Sequence, residues 1–259
     1  MSGLQAALWS ESLKARKSKM FPGTLLFFVF IAVMMGLMMY AAQHPELAGR
    51  SATLAAKTSA IGKAEWYSFF SLLIQIILAM GPIGFGMVAS WVFGREYSDR
   101  VAKDLLALPV SRLNMVVAKF IVIIIWCLLL SVVMFAASLL TGLAVGMPGW
   151  AEVSLARSFA VFAGSAFLTL LLCTPVALIA SISRGYLLPI AFAILTLIVT
   201  NFVAIGAPGL MPYFPWGIPA LFSGIAGSQA LPQAGAVSYI ILAATSILGF
   251  WGTAAWWRF

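Results

Sequence analysis

Few residues in this chain could make or break a bond. His44 is the lone histidine of 259 residues and has no carboxylate cluster around it, so a solvated loop residue is a simpler reading than a ligand or base. Cys127 and Cys173 both lie inside apolar stretches, where a thiol is a small packing group and a disulfide or metal site is disfavoured. No serine–histidine pair, paired aspartates or HExxH run offers a nucleophile, an acid–base couple or a metal site. The phosphate-cradling G-x-x-x-x-G-K-S/T pattern is also missing, which argues against ATP hydrolysis by this chain. What the sequence offers is concentrated charge. Between Gly94 and Arg112 stand Arg95, Arg100, Lys103 and Arg112 against Glu96, Asp99 and Asp104, almost a third of the chain's fifteen basic and seven acidic residues.

The spacing of that island predicts a short helix. Glu96 and Arg100, Asp99 and Lys103, and Arg100 and Asp104 are four residues apart and so neighbours on a helical surface. Val101, Leu105 and Leu108 fall on another side as a narrow apolar stripe. Pro109 stops the helix, and Ser111 is placed to cap the next one. A solvated, salt-bridged connector would show the same ion pairs. The apolar stripe and firm termini favour a docking element, whose chemistry is recognition of a partner surface.

The elements that position this island are apolar spans. With 63% hydrophobic residues, 8% charged residues and a mean hydropathy of +1.07, the chain departs from soluble globules, in which about a quarter of residues are charged. The fold expected is an all-α integral membrane protein with six transmembrane helices. The spans run from Thr24 to Ala42, Trp66 to Phe93, Leu113 to Val145, Arg157 to Ile182, Leu187 to Ile205, and Ala234 to Trp256. One transmembrane domain covers 1–259, with an interfacial helix at 1–20, the charged segment at 94–112 and an elbow at 206–233. In the N-terminal helix Leu4 and Leu8 point away from Trp9 and Leu13, so no single apolar stripe forms. Lys119, near one end of the third span, is expected to snorkel to the headgroups.

Two irregular stretches stand out. Within the second span, Gly81, Pro82, Gly84 and Gly86 should kink or locally unwind the helix. Close packing of a neighbour explains these small residues, and a hinge is the functional alternative. From Gly206 to Gln233 the prolines forbid a spanning helix, yet Tyr213, Phe214 and Trp216 are too apolar for a free aqueous loop. A re-entrant elbow fits both facts, either as an aromatic belt or as a gate that includes Pro215 and Pro219. The notable polar residues inside spans are Gln75, Thr196, Thr200 and Asn201, all neutral. Ion-coupled carriers usually place ionisable groups at the midplane, so a secondary transporter is disfavoured.

Six spans put both termini on one side. Eleven of the fifteen basic residues lie on that side, and only Arg50, Lys57, Lys63 and Arg157 on the other, which predicts cytoplasmic termini and a cytoplasmic island.

The run GREYSDRVAKDLLALPVSR resembles the cytoplasmic loop of permease subunits of type-2 ABC exporters, in the bacitracin and lantibiotic-immunity branch. The stretch from Tyr213 to Gly224 is similar to the same family's outer loop before the last span. This resemblance implies a coupling role for Arg95, Glu96, Asp99, Arg100, Lys103, Asp104, Leu105 and Leu108 in the groove of a separate ATP-binding cassette ATPase. It implies two ATPase copies, a second copy of this permease or a related one, and ATP and Mg held by the partner, with no cofactor on this chain. A multi-pass location in a bacterial-type cytoplasmic membrane follows, with lipid and not nucleic acid as surroundings. The cargo expected is amphipathic or hydrophobic and resembles a peptide antibiotic. A sulfur species, haem-related compound or lipid is the alternative cargo, and a non-transporting scaffold or sensor subunit the alternative class.

Overall fold

The helices begin and end where local chemistry dictates. The computed structural model describes residues 3–44, 46, 63–98, 111–224 and 232–258, and over these it is helical without strands. The helices are α1 (Gly3–Arg16), α2 (Met20–Gln43), α3 (Trp66–Ser98), α4 (Arg112–Val145), α5 (Leu155–Leu171), α6 (Cys173–Ser183), α7 (Leu187–Gly206), α8 (Ile218–Ser223) and α9 (Ala236–Trp256). Six stretches are long and apolar enough to cross a bilayer: α2, α3, α4, α5 with α6, α7, and α9. Ser111 caps α4 by accepting the Asn114 N–H at 3.2 Å, and Gly146 closes that helix at φ 68°, where a side chain would be strained.

The fourth span is one transmembrane stretch interrupted at Leu172. Pro175 cannot donate to the Leu171 carbonyl, and the Thr174 hydroxyl replaces that donor at 3.1 Å. The same hydroxyl lies 2.8 Å from the Ser246 carbonyl, so the interruption also ties the fourth span to α9. Gly249 of α9 sits here, and a Cβ on it would come within 2.6 Å of the Thr174–Pro175 backbone.

The core forms around α3, which packs against α4, α5, α6 and α7. The glycine run in α3 serves this packing. A Cβ on Gly84 would lie 2.6 Å from the Phe28 ring, which stacks on Phe85, and one on Gly86 would lie 3.1 Å from Ala193. The expected unwinding at Gly81–Gly86 is absent: α3 stays helical through Pro82, because the small residues let α2 and α7 close around it. In contrast to the half-buried spans at the centre, α7 and α9 keep most of their apolar surface uncovered.

One boundary differs from expectation. No separate helix opens at Gly94, since α3 continues to Ser98 and carries Arg95 and Glu96 in its last turns. At 33 residues α3 is about 50 Å long, well beyond the roughly 30 Å hydrocarbon core, so its end can leave the lipid without breaking. The elbow consists of 3-10 turns at Pro208–Tyr213 and Pro215–Gly217 followed by α8, within the predicted 206–233.

Candidate functional site

Neutral polar side chains inside a membrane need a reason, and a cavity supplies one here. Gln75 on α3 and Thr196, Thr200 and Asn201 on α7 all line a cavity of about 560 Å³. The α5–α6 span contributes Thr169 and Val176 to its wall, and Pro82 adds the site of the α3 glycine run. Trp216 and Pro219 of the elbow close one end. Among the described residues, no charged one lines it.

The polar groups on α7 are partly spent on their own helix. Thr196 donates to the Ala193 carbonyl at 2.8 Å, Thr200 to the Thr196 carbonyl at 2.6 Å, and Asn201 Nδ2 to the Leu197 carbonyl at 2.9 Å. With those bonds made, the hydroxyl lone pairs and the Asn201 carbonyl oxygen remain as acceptors, and the second Asn201 amide N–H as a donor. The wall therefore offers neutral hydrogen-bonding points on an apolar surface, the composition of a site for uncharged or amphipathic ligands.

The elbow is anchored rather than loose. Ile218 packs with Leu172 and Leu242, and Trp216 meets Phe192 edge-on at 5.6 Å. Pro219 is buried, Phe214, Pro215 and Trp216 are half-buried, and Tyr213 is 61% exposed. The expected gate residues thus divide between the cavity end and the outward surface.

At the opposite end of α3, charge is brought inside. Lys119 is fully buried, with its ammonium 2.7 Å from Glu96 Oε1, 3.1 Å from Glu11 Oε2 and 3.0 Å from the Val92 carbonyl. Lys14 joins the same group, 2.6 Å from Glu11 and 3.1 Å from Glu96. The snorkelling expected of Lys119 does not occur, because two carboxylates compensate its desolvation from within. Glu96 is likewise buried rather than solvated, and among the described residues its Oε2 has no hydrogen-bond partner. Arg95 lies 4.8 Å over the Trp91 ring. Asp99, Arg100, Lys103, Asp104, Leu105 and Leu108 lie outside the described residues.

This cluster explains α1. Its inward face is Leu4, Leu8, Glu11 and Ala15, while Trp9 and Leu13 are the exposed pair. Sequence reasoning missed Glu11 and Lys119 as partners; the available signal was a lone acid in a basic helix and a lone lysine within an apolar span. Burial alone would push the Glu11 carboxyl up, but Lys119 and Lys14 outweigh it and hold it below its ordinary 4.5. Burial alone would lower Lys14, but Glu11 and Glu96 outweigh that and raise it above 10.5.

A depressed carboxyl stabilises the docked form above its unfolded value, and that contribution fades as pH falls through the folded value. The raised lysine contributes fully below its unfolded value, and its share fades only as pH rises through the folded one. Helix α1 should therefore stay docked from neutrality to below pH 4.5 and release in stronger acid. The distance between spin labels at Ala6 and Leu113 checks this. Lengthening only below that pH is expected, and a distance unchanged into strong acid would remove the electrostatic account of docking.

A helical membrane domain with a neutral intramembrane cavity fits a membrane transporter. Residues 7–200 match the family model for ABC-2 family transporter proteins. The chain belongs to that family and is the membrane-spanning permease subunit of an ABC exporter. It is similar to the bacitracin transport permease protein BCRB of Bacillus licheniformis, at 27% identity over 192 residues, 74% of this chain and 90% of that relative. The family match ends at residue 200, before the elbow.

Proposed function

We propose that this permease exports an amphipathic or hydrophobic compound resembling a peptide antibiotic, through a path that includes the cavity beneath the elbow. The observation that carries this reading is the uncharged, mostly apolar cavity dotted with Gln75, Thr200 and Asn201. Its volume of about 560 Å³ suits a drug-sized group, so a larger peptide would share a path between two permease copies. Gln75 and Asn201 are exposed in one chain, and α7 leaves an apolar face uncovered beside them, which supports a second copy there. A smaller cargo such as a sulfur species would fit this volume whole. In this reading Trp216 and Pro219 form the gate, and Pro82 marks where α3 flexes between states.

Hydrolysis of ATP belongs to a separate cassette subunit, two per complex, seated on the segment 94–112. This chain contributes no catalytic group and no cofactor of its own. The basic asymmetry of the loops supports cytoplasmic termini in a bacterial-type inner membrane. A pull-down with the cognate ATPase tests the coupling role. Leu105→Asp places a charge in the proposed seam, where a fully buried leucine contributes about 1.5–3 kcal/mol. Loss of the ATPase is expected. Retention of both the ATPase and export would remove that role from Leu105 and its stripe.

A further inference from the structure

The hydroxyls on the cavity wall share a polarity that follows from the helices carrying them. Thr169 donates to the Ser165 carbonyl at 2.8 Å, just as Thr196 and Thr200 donate to the Ala193 and Thr196 carbonyls. Each threonine thereby spends its one proton on its own helix and keeps oxygen lone pairs for a ligand. Pro82 adds to the same bias. It has no N–H for the Leu78 carbonyl one turn earlier, and both residues line the cavity. Thr169 and Thr196 are the buried hydroxyls of this wall, 2% and 6% exposed. Together with Leu78 and Pro82 they lie more than two turns from either end of their spans. Among the described lining residues, the N–H donors of side chains stand elsewhere, on Gln75 and Asn201 at the exposed side and on Trp216 at the elbow.

We propose that the buried wall selects a cargo segment with free amide N–H groups over one that offers acceptors alone. Accepting from such a segment uses lone pairs that the helices leave over. Donating to an acceptor would break a threonine's bond to its own carbonyl, and the exchange returns no net hydrogen bond. A ligand acceptor facing these oxygens is also desolvated without a partner, which penalises the wrong ligand. An apolar peptide whose amides are not paired internally presents donors of the required kind, whereas an ester, ketone or polyether does not. The inference rests on the cavity being the cargo path and adds the chemistry that this path admits.

Binding of two matched probes to the permease in nanodiscs tests it, after subtraction of uptake by protein-free nanodiscs. One probe is a capped apolar dipeptide of leucine and phenylalanine. The other has the same skeleton with ester oxygens in place of the amide N–H groups. The wild type should bind the amide more tightly. Thr169→Val and Thr196→Val keep the side-chain shape, and each should lower that preference about fivefold, the worth of one hydrogen bond. Thr169→Ser and Thr196→Ser keep the accepting oxygen and should retain the preference, which a merely structural role for these side chains does not predict. Equal binding of the two probes by the wild type, or an undiminished preference in both valine variants, would overturn the proposal. Ala79→Trp, which fills the cavity from its α3 wall, separates that failure from failure of the cavity itself. If it weakens both probes while the wild type binds them equally, the cavity stands and the donor preference falls. If it leaves both unchanged, the probes bind elsewhere, and the cavity reading falls with the preference.

Discussion

Lys119→Met should cost about 3–5 kcal/mol of stability, the usual penalty for stripping one partner from a buried ion group. The methionine fills a similar volume, so packing changes little. What changes is that Glu11 and Glu96 then face each other in a buried site with Lys14 as the remaining nearby cation. A large fall in Tm in detergent is expected, and α1 should detach from α4. Adding Glu11→Gln and Glu96→Gln to the same variant removes the stranded charges and should recover most of the loss. Arg16→Met on the exposed face of α1 should stay within about 0.5 kcal/mol of wild type. If Lys119→Met melted like the wild type, the buried cluster would not hold these helices together.

That cluster also marks where sequence reasoning stopped. The spans were readable because each is a long apolar run bounded by a local signal: Ser111 before α4, Gly146 after it, and the prolines after Gly206. Lys119 was not readable in the same way. A lysine near a span end can snorkel outward or pair inward, and the positions of Glu96 and of Glu11, 108 residues earlier, decide between them. In α1 the split of Leu4 and Leu8 from Trp9 and Leu13 was legible, but not which pair faces inward, since the inward face contains a carboxylate that counts as polar in any hydropathy pattern.

The cavity shows a partial success. Gln75, Thr196, Thr200 and Asn201 were conspicuous as polar residues in lipid-length helices. Their convergence depends on α3 and α7 lying side by side, a tertiary fact that periodicity within one helix does not contain. The elbow aromatics were legible as too apolar for water, but the division between cavity-lining Trp216 and exposed Tyr213 comes from their packing.

The second large effect expected is Ala79→Trp. Ala79 lies on the cavity wall of α3, one helical turn from Gln75, and is half-buried there. An indole at this position projects into space that a ligand would use. Each displaced side-chain-sized apolar group forfeits about 1.5–3 kcal/mol, or about ten- to a hundredfold in affinity. Export should fall accordingly, while Tm and association with the ATPase remain near wild type because the indole has room in the cavity. Thr200→Val, which keeps the shape and removes one acceptor, should have the smaller effect of a single lost hydrogen bond, about 1 kcal/mol.

The most direct measurement is ATP hydrolysis by the complex of this permease with its cognate ATPase in nanodiscs, with and without a panel of amphipathic peptide antibiotics, for wild type and Ala79→Trp. At least one of them should raise hydrolysis by the wild-type complex, and Ala79→Trp should abolish that increase while leaving the basal rate intact. An equal increase in both complexes, or none in the wild type, would contradict a substrate path through this cavity.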